Sequence, residues 1–186
     1  METAIDAGTE LYELVMRDCG GAAPAASRSG GITARDLAAL LAVAAKGRAP
    51  WRTADLAREL GASALEVSMG LERARRVGLV DEQKHRVLKA PLLEFLVHGL
   101  RYVFPAEIGA SCRGFATAPL AGRFVWPARD GDATGRALTP LDGAAARTSD
   151  GNLRELLSLV DVLRVGLVWE RTLAVRELSR RFDASS

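Results

Sequence analysis

Capping residues and glycines divide the N-terminal half of the chain into three short helical segments, and this spacing restricts the fold more than any other feature. Thr33 and Asp36 have the spacing of a capping box at the start of DLAALLAVAAKG, and Gly47 can end that helix. Thr53 can cap a second helix, TADLAREL, which Gly61 can end. The pattern therefore predicts two helices and, after a Gly-containing turn, a third.

The third segment, SALEVSMGLERARRVG, carries its own start signal. Ser63 and Glu66 stand in the S-x-x-E relation, in which the serine side chain and the glutamate side chain each cap a backbone amide of the first turn. At about 100° per residue, one face should pack on the preceding helices. That face holds Val67, Leu71, Ala74 and Gly78. Gly78 can also end the helix, and GLVDEQKHRVLK then predicts a short two-stranded hairpin, tipped by Lys84, His85 and Arg86.

This order of elements resembles the winged helix-turn-helix regulators of the MarR-like kind. The resemblance is carried by ADLARELGASALEVSMGLERARRVGLV, with matching positions at Leu56, Ala57, Leu60, Gly61, Ser63, Val67, Leu71, Gly78, Leu79 and Val80. The segments EFLVHGLRYVFP, VWP and LLSLVDVLRVG are similar to a bacterial group of small proteins described in the same way, and the likeness covers most of residues 32–182. The resemblance implies a dimeric DNA-binding transcriptional regulator.

The residues on the predicted DNA-reading surface allow two interpretations. We expect duplex DNA to contact the third helix (63–77) and the hairpin (79–89) through Ser63, Leu65, Ser68, Met69, Glu72, Arg73, Arg76, Lys84, Arg86 and Lys89. The basic members suit phosphates or a guanine edge, with Arg75 close by. Leu65, Met69 and Glu72 do not suit base edges, so an adaptor or antitoxin-like protein that holds a protein partner through Leu65 and Met69 is the alternative.

Charge and composition indicate a soluble globular protein rather than a membrane protein. The 186 residues carry a net charge of only +2, so a basic footprint for nucleic acid must be local. The longest apolar run, residues 37–45, is shorter than the roughly 20 residues that span a bilayer, and the N-terminus lacks a signal-like stretch. Cys19 and Cys112 lie far apart without a CxxC neighbour, which favours free thiols. We expect a cytoplasmic protein without a membrane partner.

Three motifs resemble catalytic or metal sites without completing them. RDGDATG matches the start of an EF-hand loop, but Leu141 stands where the bidentate carboxylate belongs. This favours a turn that joins RFVWP to RALTPL. GASCRG resembles the G-x-S-x-G pattern of a nucleophile elbow, but Arg113 stands where that pattern requires its second glycine. His98 has no ligand partner at metal-binding spacing, so we expect a packed or capping histidine. The sequence predicts no enzymatic activity, cofactor or metal.

The sequence predicts a mainly α-helical fold in four parts. Residues 1–31 form an acidic extension with a Gly/Ala/Pro/Ser linker, residues 32–104 the winged helix-turn-helix domain, residues 105–151 an irregular Gly/Pro-rich middle, and residues 152–186 a helical region. In the last part the apolar positions keep a helical period up to Gly166, and a second helix reaches Phe182. These C-terminal helices are expected to pack on the first domain and to form a homodimer.

Overall fold

The computed structural model describes residues 31–117 and 123–184, and over these residues the chain is mainly helical with a small three-stranded sheet. The helices are α1 (Ala34–Lys46), α2 (Thr53–Leu60), α3 (Ala64–Arg76), α4 (Lys89–His98), α5 (Leu100–Val103), α6 (Gly151–Val165) and α7 (Val168–Ala184). The strands are β1 (Ile108–Ala116), β2 (Phe124–Pro127) and β3 (Ala133–Leu138), and a 3₁₀ turn spans Ala145–Arg147. The predicted extension at residues 1–30 and Cys19 lie outside the described residues.

Local signals set the ends of the first three helices largely as predicted. Both capping boxes form, with Thr33 on α1 and Ser63 on α3, and Gly61 ends α2 in the left-handed conformation. The prediction that Thr53 caps α2 is wrong, because Arg52 occupies the cap position and makes no side-chain capping bond. Gly78 does not join the buried face of α3, because the helix has already ended at Arg76.

Helix α1 lies at the centre of the core. Its residues 36–44 are all buried, since α1 packs against α2 and α3 on one part of its surface and against α6 on another. Fully burying one leucine side chain contributes about 1.5–3 kcal/mol, and Leu37, Leu40 and Leu41 are among the most buried side chains. The C-terminal helices therefore share one core with the N-terminal helices.

Ion pairs at the end of α1 join it to two other helices. The Nζ atom of Lys46 lies 2.7 Å from a carboxylate oxygen of Glu59 on α2 and 2.8 Å from one of Asp150. Asp150 also caps α6, because its other oxygen accepts from the backbone amides of Asn152 and Leu153. One lysine thus connects the ends of α1 and α2 to the start of α6.

The middle of the chain contains a sheet, so the predicted irregular segment is wrong over β1, β2 and β3. Strand β1 pairs antiparallel with β2 and with β3, while β2 and β3 pair in parallel, and the three strands close on one another. The turn predicted at RDGDATG connects β2 to β3.

Glycines in this sheet allow neighbouring backbone segments to approach each other closely. A Cβ atom at Gly114 would lie 2.1 Å from the carbonyl oxygen of Trp126, and one at Gly131 would lie 2.2 Å from the backbone of Gly114. Any side chain at either position would therefore push the strands apart. The glycines that suggested an irregular segment are what allow a sheet this small to close.

Candidate nucleic-acid interface

Helix α3 begins at Ser63 and presents an apolar surface near its start. The Ser63 hydroxyl accepts from the Glu66 amide at 3.1 Å, and the Glu66 carboxylate accepts from the Ser63 amide at 2.8 Å. The Ser63 side chain therefore caps the helix. The side chains of Leu65 and Met69 are 68% and 52% exposed, and Ser68 beside them is also exposed.

Glu72 forms the centre of a charged cluster on the outer side of α3. Its carboxylate accepts hydrogen bonds from Arg75 at 2.8 Å, from Arg76 at 3.3 Å and from Lys84 at 3.3 Å. These bonds, that of Arg75 foremost, lower the pKa of Glu72 to about 2. Arg75 makes a further pair with Glu82 at 2.8 Å. We call Glu72, Arg75, Arg76, Lys84 and Glu82 the Glu72 cluster, in which the protein largely neutralises its own charges.

The structure places Arg73 against α1, where its side chain is partly buried. Its guanidinium makes two parallel bonds of 2.7 Å to the carboxylate of Asp36, which is only 3% exposed and also belongs to the capping box of α1. These bonds raise the pKa of Arg73. Gly70 makes the contact possible, since a Cβ atom there would lie 2.4 Å from the Asp36 carboxylate. Arg73 therefore joins α3 to α1.

Where the sequence predicts a two-stranded hairpin, the structure has a tight loop closed by an isolated β-bridge between Val80 and Val87, and we keep the word hairpin for this loop. The Asp81 carboxylate accepts from the backbone amides of His85 and Arg86, at 2.7 and 3.0 Å, and Lys84 adopts a left-handed φ of 59°. These bonds fix the tip, from which the His85 and Arg86 side chains reach solvent. After the hairpin, Lys89 donates to the carbonyl of Phe182 on α7.

A cleft of about 380 Å³ lies between the start of α2, the middle of α3 and the tip of the hairpin. Its lining residues are Trp51, Arg52, Thr53, Ser68, Leu71, Gln83, Lys84 and His85, and no carboxylate is among them. The predicted contacts Ser68 and Lys84 meet here. We call this space the α3 cleft.

Sequence reasoning missed part of the α3 cleft. It gave Trp51, Arg52 and Gln83 no role and treated Thr53 as a helix cap alone. The available signal was the position of Trp51 and Arg52 in APWR, directly before α2, where an N-terminal helix end attracts anions. Of the remaining predicted contacts, Arg76 and Arg86 are exposed at the edges of this surface, whereas Arg73 and Lys89 bind other parts of the protein.

The sequence motifs that resembled catalytic or metal sites lie apart from this surface. Cys112 is half-buried on β1. His98 is exposed in the last turn of α4, so the packed alternative is wrong, and its position is that of a basic residue near a helix C-terminus, as in the capping alternative. Within the described ranges, no three His, Cys, Asp or Glu side chains are grouped as a metal site would require. Over those same residues, none of the helices has the length and apolar character needed to cross a membrane.

Comparisons of the chain with protein-family models, curated proteins and solved structures gave no match.

Proposed function

We propose that this protein is a DNA-binding transcriptional regulator in which α1, α2, α3 and the hairpin act as a winged helix-turn-helix domain. The α3 cleft is the observation that carries the proposal, because it combines Arg52, Lys84 and His85 with hydroxyl groups and contains no carboxylate. Such a surface suits the sugar–phosphate backbone of a duplex. The sequence resemblance to MarR-like regulators supports the same conclusion.

Each element has a distinct task in the proposed complex. The first turn of α2 follows Arg52 and has no side-chain cap, and a helix N-terminus stabilises a bound phosphate. Helix α3 enters the major groove with Ser68, while Leu65 and Met69 meet thymine methyl groups. Arg86 and Lys84 on the hairpin follow the backbone beside the groove. The pairing of Glu72 with three cations reduces its repulsion of phosphates.

Salt-dependent binding tests this proposal. The variants Arg52→Gln and Arg86→Gln each remove one exposed cation at the interface, so each should flatten the slope of log Kd against log salt by about one unit. The matched control is Arg176→Gln, which removes an exposed arginine from α7. Duplex affinity with a salt slope near zero, or equal losses in all three variants, would overturn the proposal.

A second function, binding of a protein partner in the manner of an adaptor or antitoxin-like protein, is favoured by one observation. The side chains of Leu65 and Met69 are 68% and 52% exposed, in adjacent turns of α3. Burial of these two side chains would make them anchors of an interface. In this case Leu65→Ser and Met69→Ser abolish partner binding, and Arg86→Gln has little effect.

We also propose that two copies associate through the start of α7. Leu167, Val168, Trp169 and Leu173 are all more than half exposed and lie within two turns of one another. An apolar patch of this kind suits a two-fold interface, in which each copy buries the same surface. Light scattering should report a dimer for the native chain and a monomer for Trp169→Lys. A monomer in the native chain would refute this part of the proposal.

A further inference from the structure

A second and larger cleft lies beside the α3 cleft, and the two share Trp51 and His85. The chain reverses after α1 at Gly47, where φ is 57°, and the Ala49 amide donates to the Lys46 carbonyl at 2.9 Å. This turn and Pro50 place Trp51 against the tip of the hairpin, where its ring meets the His85 ring edge to face, with centroids 6.3 Å apart. The Trp51–His85 pair thus forms a common wall between the two clefts.

The second cleft, which we call the Trp51 cleft, has an apolar base and a cationic rim. Its volume is about 780 Å³, within the range of small-molecule sites. Val43, Ala44 and Val87, which are almost fully buried, form its apolar base, and Trp51 lies at one side. Arg48, Arg86 and Lys89 supply positive charge, and no carboxylate is among the lining residues.

Among these cations, Lys89 is repelled by Arg48, and an anion bound between the two would offset that repulsion. Burial is the main cause of the lowered pKa of Lys89; Arg48 lowers it further, and Asp183 beyond the lining opposes the change. The Lys89 ammonium donates to the Phe182 carbonyl, which fixes it at one end of the cleft. In the part of the chain that the structure describes, the guanidinium groups of Arg48 and Arg86 form no ion pair.

The combination of groups identifies the class of ligand. An inorganic phosphate would use the cations but neither Trp51 nor the apolar base. The bases of an intact duplex are stacked inside it, so a duplex would also leave Trp51 unused. An unpaired nucleotide uses both features, because its base stacks on an aromatic ring while its phosphate meets arginine and lysine.

From this arrangement we infer that the Trp51 cleft binds a nucleotide unit whose base is unpaired, with the base against Trp51 and the phosphate against Arg48, Arg86 and Lys89. Either a free mononucleotide or one residue of a single strand supplies this chemistry. The inference does not depend on duplex binding by α3. The two proposed complexes share Arg86 and the Trp51–His85 wall, but Arg48 and Lys89 line the Trp51 cleft and not the α3 cleft.

Calorimetric titration of the full chain tests the inference with three probes: adenosine monophosphate, a short oligothymidylate and inorganic phosphate. Trp51→Leu should weaken nucleotide binding about tenfold through loss of stacking. Arg48→Gln should weaken it by a similar factor and reduce its salt dependence. Arg176→Gln is the matched control and should change neither. Arg48→Gln alters only an exposed side chain, so it remains informative if Trp51→Leu fails to fold.

Each pattern of results decides the question. Binding of the mononucleotide, lost in the Trp51 and Arg48 variants, supports the inference and identifies a free nucleotide as the ligand. Binding of the oligothymidylate alone, with the same variant dependence, supports it with a single strand as the source. It is overturned if neither nucleotide probe binds, if inorganic phosphate binds as tightly as the mononucleotide, or if Trp51→Leu and Arg48→Gln bind like the native chain. Duplex binding without nucleotide binding would leave the proposed regulator intact and refute only this site.

Discussion

Two carboxylates, Asp161 in the C-terminal half and Glu72 on α3, bind arginine in opposite environments. Asp161 is fully buried and accepts from Arg164 at 2.6 Å and from the Trp126 indole at 2.7 Å. Glu72 lies at the surface among three cations. The first pair lies within α6, and Asp161 connects it to β2 through the Trp126 indole, whereas Glu72 and its cations set the charge of a proposed binding surface. The comparison shows that burial decides whether such a pair stabilises the fold or adjusts what the surface attracts.

The buried pair should give the largest effect on stability. Arg164 is only 3% exposed and also donates to the carbonyls of Phe104, Pro105 and Thr139. Asp161→Ala would leave this cation without its counter-charge, which should reduce the free energy of unfolding by about 3–5 kcal/mol. Denaturant titration measures the loss, with Glu177→Ala on the surface of α7 as control. Similar losses in both variants would contradict the role of burial.

The Arg73–Asp36 pair is intermediate, because its carboxylate is buried and its guanidinium is a quarter exposed. Arg73→Ala should reduce the free energy of unfolding by about 2 kcal/mol, since Asp36 keeps only its capping contacts. The matched control is Arg76→Ala, whose side chain is mostly exposed. If Arg73→Ala weakened duplex binding while stability stayed at the native value, Arg73 would belong to the interface after all.

A smaller effect is expected at the cap of α3, because the change at Ser63 leaves the contact of 3.9 Å between Glu66 and Arg35 in place. Ser63→Ala removes the hydroxyl that accepts from the Glu66 amide, and loss of such a cap costs about 1 kcal/mol of stability. Ser68→Ala, in the middle of the same helix, is the control because its side chain caps nothing in the described structure. Thermal unfolding followed by circular dichroism distinguishes the two variants. Equal melting temperatures would show that the cap contributes little.

The ion pairs of the Glu72 cluster are best tested by titrating the Glu72 carboxylate with pH. Because the folded pKa of Glu72 is near 2 and the ordinary value is 4.5, the attraction is complete above about pH 4.5 and is lost as pH falls toward 2. NMR titration of the carboxylate should give this low pKa in the native chain. Arg75→Gln should bring the pKa back toward its ordinary value. A native pKa near 4.5 would show that the cluster does not hold in solution.

Local patterns predicted the parts of this molecule whose signals lie within a few residues of one another. The capping boxes at Thr33 and Ser63 follow directly from spacing, and the period of α6 ends at Gly166 as expected. The ion pair of Arg73 could not be predicted in this way, because its partner Asp36 lies on another helix. Position on a helical wheel places a side chain at the edge of a face but does not tell whether a distant carboxylate meets it.

The sequence did not predict the sheet or the clefts, and the physical reason is the same for both. Gly114 and Gly131 appear as loop residues until the strand that crosses them is known, and only the fold brings those two segments together. Trp51 and His85 are far apart in sequence and form a wall only because the hairpin folds back on the loop after α1. The composition of each segment was visible in the sequence, but which segments meet was not.

The closed sheet also affects how this protein behaves at high concentration. Strand edges with unpaired amide and carbonyl groups are common starting points for aggregation. Each of the three described strands pairs with the other two over part of its length, which leaves only short stretches of edge for a foreign strand to extend. Self-association of the folded chain should then proceed through side chains on α7 rather than through backbone pairing. We expect concentrated samples to form compact, reversible oligomers instead of fibrils.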